Sequence, residues 1–294
     1  MVRKLFALVM TSWALVLAEP QGSLRLRVAA VQLRSSFDIA RNCTRICDHL
    51  KQLAQQGVQV AVFPECALTG YEKETTVAAP VSEIERAEKQ IEDTCRQLHI
   101  AAVVGSIYKV NGRAFDAALA IDSKGAVIER YGKLYLAGEK WATPGNHIAF
   151  FDLEGVPSTV IICHDERYPE LVRLPALAGA RIVYYVSSES PLMEEQKLSP
   201  YRAQVMARAV ENNVFVVQAN APANPDSTGS HGQSRIVMPD GNVLREASFF
   251  GEDTLIETLD IQAGTLQRPL NGLLGPWWKQ GVETMLAERS RKLE

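Results

Sequence analysis

The chain has no excess of charge of either sign. Its 294 residues include 31 Lys and Arg against 34 Asp and Glu, a formal net charge of −3. Without a global basic field, the sequence gives no reason to expect binding to nucleic acid or to an anionic membrane surface. Low-complexity segments and long linkers are also absent, and 47% of the residues are apolar. This composition excludes a disordered or collagen-like chain and predicts a globular protein that acts on a small molecule or binds a protein.

A hydrophobic run long enough to remain in a membrane is also missing. The uncharged segment Leu5–Ala18 would span roughly 21 Å as a helix, short of the roughly 30 Å hydrocarbon core. Arg3 and Lys4 precede it, and small residues lead up to Ala18, the layout of a secretory signal peptide. We expect residues 1–18 to be removed and the chain to be exported, periplasmic or secreted, with no integral membrane span left. The alternatives are an uncleaved membrane anchor and a cytoplasmic protein with a misassigned start.

Spacings typical of metal sites are absent as well. The five His are scattered, and neither CxxC nor HExxH occurs, so no metal site is expected. An odd number of cysteines, five, leaves at least one thiol unpaired in an exported protein. Cys43, Cys47 and Cys95 lie on predicted helices and act either as small buried hydrophobic residues or as partners in one bridge to Cys95.

The first third of the chain alternates strand and helix patterns. Residues 24–34 alternate in the manner of a strand, and apolar residues at helical spacing follow in residues 46–54. A short β-branched run at Val58–Phe63, a second amphipathic helix over residues 84–98 and a strand at residues 100–104 continue the pattern. This β-α-β-α-β order favours an α/β layered core.

The second half repeats the pattern after a change in the middle. Residues 114–149 are typical of two or three short antiparallel strands, and a further meander with a turn at residues 239–242 is expected near the end. Between them the predicted elements are strands at residues 158–163, 182–186 and 214–219, and helices at residues 170–178 and 199–212. The tail, residues 263–294, either covers the core as a solvated helix or forms an arm onto a second subunit.

Three segments place a reactive residue after a predicted strand or within an apolar stretch. Pro64 ends one strand, so Glu65 should project from its carboxyl end, where ligands bind in α/β sheets. Lys133 lies among apolar residues, and Cys163 ends a hydrophobic strand. Each residue alone also has a purely structural explanation, because helix-start charges, extended lysines and buried thiols are common.

Taken together, the three segments resemble the nitrilase superfamily of carbon-nitrogen hydrolases from about Leu24 to Leu259. Further landmarks are Glu139 with Thr143-Pro144-Gly145, residues 208–212, and Gly232-Gln233-Ser234 followed by Pro239-Asp240-Gly241. The resemblance implies an α-β-β-α sandwich, one hydrolase domain over residues 24–262, and assembly into a homodimer or larger homo-oligomer. It implies no metal and no organic cofactor.

The resemblance also implies the roles of the catalytic residues. Cys163 would be the nucleophile and Glu65 the general base. Lys133 would support the thiolate and, with the backbone N–H of His164, the oxyanion. Glu139 would be a second carboxylate that positions Lys133 or the substrate. A protease-type pair of Cys163 with the His164 ring is disfavoured if the strand continues there, because adjacent residues then face opposite ways.

Substrate contacts are less constrained. Tyr71 ends the Glu65 segment and is expected to contact substrate, while Arg167 would touch substrate or order the nucleophile loop, or simply form a salt bridge. Glu189 resembles a pocket glutamate of carbamoyl-polyamine amidases that meets a distant amine; its alternative is a solvated loop carboxylate. The sequence thus predicts hydrolysis of an amide or N-carbamoyl group through a thioacyl enzyme, with a nitrilase proper or an acyltransferase as alternatives.

Tyr135 and Trp141 depart from the family pattern. Relatives commonly carry His where this chain has Tyr135, and the aromatic residue before the Pro-Gly turn is displaced to Trp141. Both are positions in the pocket wall or a loop, so they bear on the substrate more than on the chemistry.

Overall fold

A computed structural model of the chain describes residues 24–71 and 78–261, together with residues 280, 281, 283, 284 and 287. The predicted signal peptide, residues 1–18, and nearly all of the predicted tail lie outside the described residues. Within the part that is described, no helix combines the length and the apolar character needed to cross a membrane.

The first half of the chain contributes five strands of a six-stranded sheet, together with two helices. Strand β1 (Arg25–Gln32) is followed by helix α1 (Ile39–Gln55), and β2 (Val60–Val62) is followed by helix α2 (Val81–Leu98). Three strands follow: β3 (Ala101–Val110), β4 (Arg113–Ile121) and β5 (Val127–Gly132). Strand β4 pairs antiparallel with both β3 and β5. β1, β2 and β3 run parallel, so the residue after β2 emerges at the carboxyl edge of the parallel strands.

The second half forms a similar sheet. Strands β6 (Phe151–Leu153) and β7 (Val156–Ile162) lead into a 3-10 turn, Cys163–Arg167, and helix α3 (Glu170–Ala178). β8 (Ile182–Ser187) precedes a second 3-10 segment (Leu192–Lys197), helix α4 (Leu198–Asn212) and β9 (Phe215–Asn220). β7, β8 and β9 are parallel, and β10 (Arg235–Val237) with β11 (Val243–Glu246) completes this sheet as a hairpin.

Three apolar clusters define four layers. One lies between the two sheets and includes Val28, Val62, Val160 and Val217. The second fills the space between the first sheet and helices α1 and α2, and the third that between the second sheet and helices α3 and α4. Burying one face of each sheet against helices and the other against its partner sheet produces the expected α-β-β-α sandwich.

The last strand differs from the expected meander. β12 (Asp253–Asp260) leaves the β10–β11 hairpin and pairs antiparallel with β1 over eight residues, so it belongs to the first sheet. The buried Gln32 side chain reinforces this crossing: its amide donates to Ser248 O and Gly251 O at 2.7 Å and accepts from Ser234 N at 2.9 Å. The pairing of strands from opposite ends of the chain leaves no trace in local periodicity.

Candidate active site

The centre of the site is the ammonium group of Lys133, just beyond the end of β5. Its Nζ lies 2.6 Å from Glu65 Oε1, 2.6 Å from Glu139 Oε1 and 3.4 Å from Asp116 Oδ2, and all four side chains are buried. Burial by itself favours the neutral amine, but Glu65, Cys163 and Asp116 outweigh it and raise the pKa of Lys133 well above its usual value. The lysine is therefore a fixed cation.

A tight turn carries Glu65 from the end of β2 to this cation. Pro64 and Cys66, which has a φ of 50°, complete the turn, and Gly105 on β3 lies directly beneath it. A Cβ at Gly105 would lie 2.1 Å from Pro64 O, so only glycine permits this approach. The second carboxylate oxygen of Glu65 accepts from Ser188 N at 2.7 Å, which ties the first sheet to the loop after β8.

The loop between β5 and β6 supplies Glu139, as expected of a second glutamate. Its Oε1 accepts from Lys133 and, at 2.7 Å, from the hydroxyl of Tyr71, while the Ala137 N–H donates to Oε2. Burial opposes ionisation, yet the lysine charge and these donors lower the pKa of Glu139. Tyr71 is 38% exposed, so its side chain reaches the site from the surface and places its hydroxyl group against Glu139.

Cys163 lies on the opposite sheet, at the turn from β7 into the 3-10 segment. Its φ of 44° is in the left-handed region, which a non-glycine residue enters only when its surroundings enforce it. A sharp, strained strand-to-helix turn is how several hydrolases present a nucleophile. The turn also places the His164 N–H among the first amides of a helical turn, which lack an acceptor inside that turn.

The surroundings of the Cys163 thiol disfavour its thiolate form. Burial first, and then the negative charge of Glu65, raise the pKa of Cys163 well above its usual value, although Lys133 acts in the opposite direction. The raised pKa indicates that the Lys133 cation alone does not activate the thiol in the resting site. A base must remove the proton, and Glu65 makes the largest electrostatic contribution at Cys163.

His164 and Arg167 point to other groups. β7 ends at Ile162, so the argument from alternating strand faces against a Cys163–His164 pair does not apply; the His164 ring instead packs edge-on against Tyr168 at 5.9 Å. The exposed Arg167 stacks over the Tyr201 ring at 5.5 Å, so its contact with substrate stays a prediction.

Glu189 lies in a buried polar cluster behind the nucleophile turn. Its Oε1 accepts from Tyr185 at 2.6 Å and Gln218 at 2.8 Å, and its Oε2 lies 3.0 Å from His231 Nε2. The alternative of a solvated loop carboxylate is wrong, because the residue is 3% exposed. With protein partners on both oxygens, contact with a cationic substrate tail stays a prediction.

All five cysteines of the chain are free thiols in the structure. Cys43 donates to Ala87 O at 3.4 Å, and the Thr94 hydroxyl donates to the Cys47 sulfur at 3.3 Å. A bridge to Cys95 is therefore not formed, and these residues fill the core between α1 and α2 as small apolar side chains.

Comparisons with known proteins identify the family of the chain. The family model for carbon-nitrogen hydrolases matches residues 27–268. The chain belongs to this family, the nitrilase superfamily. A protein of Staphylococcus lugdunensis described as a hydrolase in the agr operon is 31% identical over 223 residues, covering 74% of this chain and 93% of the relative.

Two amidases are also similar. The 2-oxoglutaramate amidase of Bacillus subtilis is 30% identical over 193 residues, covering 64% of this chain and 73% of its own. A solved mutant of a nitrilase-superfamily amidase from Nesterenkonia AN1 is 26% identical, with a TM-score of 0.75, covering 88% of this chain and 98% of that one. The chain is therefore an enzyme of the carbon-nitrogen hydrolase type, which acts on non-peptide carbon–nitrogen bonds.

Several residues of this carbon-nitrogen hydrolase were missed by sequence reasoning. Asp116 is the only charged residue between Ala114 and Ile121, and a lone carboxylate in an apolar strand signals a buried partner. Asp165 forms no salt bridge with any residue that the structure describes: it accepts from the Tyr131 hydroxyl and from the backbone N–H groups of Tyr135 and Ile162. No local signal marks Ser188, because its role rests on a backbone N–H.

The three carboxyl groups of the hydrolase site resemble a metal-binding set in composition. Oxygens of Glu65, Asp116 and Glu139 lie within 4.8 Å of one another. All three also lie against Lys133, whose ammonium supplies the positive charge at their centre. The carboxyl groups thus serve to fix a cationic side chain at a defined point beside the nucleophile.

Proposed function

We propose that the enzyme hydrolyses an amide or N-carbamoyl group through a thioacyl intermediate on Cys163. The observation that carries the proposal is the buried Lys133 ammonium, held 2.6 Å from both Glu65 and Glu139 next to a strained cysteine turn. The similar Bacillus and Nesterenkonia proteins are both amidases, which supports an amide over a nitrile as substrate.

In the first half of the proposed reaction, Glu65 takes the thiol proton as the Cys163 sulfur attacks the carbonyl carbon. A carbon–sulfur bond forms, and the negative charge moves to the carbonyl oxygen, which accepts from Lys133 and the His164 N–H. The carbon–nitrogen bond then breaks, and the nitrogen leaves as ammonia or an amine with the proton from Glu65. Because the resting thiol has a raised pKa, this proton transfer accompanies attack.

In the second half, Glu65 takes a proton from water, which attacks the thioacyl carbon. The carbon–sulfur bond breaks, the acid product leaves, and the proton returns to the Cys163 sulfur. Glu139 and Tyr71 keep Lys133 in place throughout, and Ser188 N holds the other oxygen of Glu65 so that the carboxylate does not rotate away. The proposed substrate contacts are Tyr71, Arg167 and Glu189.

The test is release of ammonia from a panel of primary amides, N-carbamoyl amines and nitriles by the wild type, Cys163→Ala and Cys95→Ala. We expect wild-type turnover of an amide or carbamoyl compound and a loss of about 10⁴-fold or more in Cys163→Ala. Cys95→Ala removes a buried thiol from α2, away from the site, and should keep turnover.

The other outcomes identify the alternatives. Turnover of nitriles alone would make the enzyme a nitrilase proper. Faster transfer to hydroxylamine than to water would make it an acyltransferase using the same intermediate. Amide hydrolysis by Cys163→Ala at the wild-type rate would contradict the proposed mechanism altogether.

A further inference from the structure

The charges at the centre of the site do not balance. Glu65, Asp116 and Glu139 all face Lys133, and every one of these side chains is buried. If all three carboxyl groups were ionised, one lysine would leave two uncompensated negative charges in a region without solvent. Burying an unpaired charge is costly, and proteins normally avoid it by keeping a proton.

The hydrogen bonds indicate which carboxyl group keeps the proton. Glu65 accepts from Lys133 and from Ser188 N, and Glu139 accepts from Lys133, Tyr71 and Ala137 N. These donors, at 2.7 Å or less, stabilise a carboxylate.

The hydrogen-bond donors of the Asp116 carboxyl group are weaker or more distant than those of Glu65 or Glu139. Lys133 is 3.4 Å from its Oδ2, and its Oδ1 has the Cys66 thiol, a weak donor, at 3.7 Å. Of the three groups, the Asp116 carboxyl therefore gains least from being ionised.

We propose that Asp116 is a neutral carboxylic acid in the working enzyme and acts as a positioning residue for the Lys133–Glu65 pair. This role rests on the proposed hydrolytic function of that pair. A neutral Asp116 limits the position of the Lys133 ammonium by contact and does not attract it as an ion would. An N–H of Lys133 therefore stays available for the carbonyl oxygen of the substrate. An ionised Asp116 would compete with that oxygen for the same donor.

The surroundings of Asp116 support the assignment. The titratable groups that face it are Glu65 and Cys66 from the turn after β2, and Lys133 and Glu139 from the segment after β5; β3 places the apolar Ile107 opposite it in register. Burial first, then the charge of Glu65, raise the pKa of Asp116 well above its usual value despite Lys133, and a hydrogen bond with Glu65 acts in the same direction.

Infrared spectroscopy of the whole chain tests the protonation state directly. With ¹³C-labelled aspartate, the wild type should show a protonated-carboxyl stretch at about pH 8 that moves with the label and shifts in D₂O. At that pH Asp165, whose pKa is about 6, is ionised and does not contribute. The absence of an aspartic acid band, or its persistence in a folded Asp116→Asn variant, would overturn the proposal.

Kinetics test the positioning role with a matched pair of variants. Asp116→Ala removes the contact with the Lys133 ammonium, so Lys133 moves relative to the thioacyl carbon. This change should lower kcat by about 100-fold, with a smaller change in KM. Asp116→Asn, a neutral group of the same shape, should recover at least about tenfold of that loss. Equal losses in the two variants would show that a charge is required there and would contradict a neutral Asp116.

The two proposals fail in distinguishable ways. If the wild type hydrolyses nothing in the substrate panel, the proposed function is wrong. The infrared band still decides the state of Asp116, because it does not depend on turnover.

Discussion

At the scale of single residues, Asp165 connects the two halves of the site. Its carboxylate accepts from Tyr135 N on the Lys133 segment and from Ile162 N at the end of β7, so it fixes the lysine segment against the nucleophile turn. The side chain is fully buried and has no cation paired with it among the described residues. Burial raises the pKa of Asp165 to about 6, although the Tyr135 N–H and other donors counteract the effect.

This pKa predicts a specific dependence of stability on pH. A carboxyl group whose pKa is higher in the folded than in the unfolded state binds more protons when folded, so its contribution to stability falls as pH rises. Between pH 4 and 7, the free energy of unfolding of the wild type should fall by about 2 kcal/mol relative to that of Asp165→Asn. Urea unfolding of both proteins at several pH values measures the difference. A difference that stays constant with pH would contradict the assignment.

At the scale of secondary-structure elements, glycines let strands approach the catalytic segments. Gly105 on β3 lies under the Glu65 turn, and its carbonyl oxygen accepts from Leu68 N at 3.1 Å. Gly145, from the expected Pro-Gly turn, packs on Gly132, and its N–H donates to Lys133 O at 2.8 Å. Both proposed catalytic residues of the first sheet, Glu65 and Lys133, are thus positioned by a backbone contact that a side chain would block.

Gly105→Ala should therefore move Glu65. The added Cβ would meet Pro64 O at 2.1 Å and Glu65 Cα at 2.6 Å, so the turn must shift by a large fraction of an ångström. We expect kcat/KM to fall by about 100-fold and the free energy of unfolding by about 1–3 kcal/mol. Gly112→Ala, in the β3–β4 turn where nothing lies within 4 Å, is the matched control: stability falls by about 1 kcal/mol and kcat/KM is kept. Wild-type kcat/KM in Gly105→Ala would show that this contact does not position Glu65.

Most elements could be predicted from the sequence because their signals are local. Strand alternation, helical spacing and the breaks at Pro64 and residues 239–242 lie within a few residues of the structures they produce. The pairing of β12 with β1 could not be predicted, because it joins segments more than 200 residues apart. Asp116, Asp165 and Ser188 were missed for the same reason: their roles depend on groups that only the folded chain brings near.

At the scale of the whole molecule, export and assembly remain proposals. Leu174 on α3 and Val210 on α4 are exposed apolar residues on the outer helix layer, which supports pairing of two copies there. The raised pKa of the partly buried Cys163 makes it a poor target for oxidation, which would suit the proposed export to an oxidising compartment.

One preparation tests both proposals. The full-length chain, expressed in a bacterial host and recovered from the periplasm or medium, should begin at Glu19 by mass spectrometry. Its mass in solution by sedimentation equilibrium should be that of a dimer or larger assembly. An N-terminus at Met1 would contradict cleavage, and a monomer at all concentrations would contradict assembly.

The division of the site between two sheets determines when a newly made chain can become active. Glu65, Asp116 and Lys133 come from the first sheet, and Cys163 and Ser188 from the second, so neither half of the chain holds a working centre. Under the proposed export and mechanism, a chain that crosses a membrane unfolded would be inactive, because its thiol would have no base beside it. The proposed hydrolytic activity would then begin only when the two sheets dock, so that the completion of folding would be the activation step.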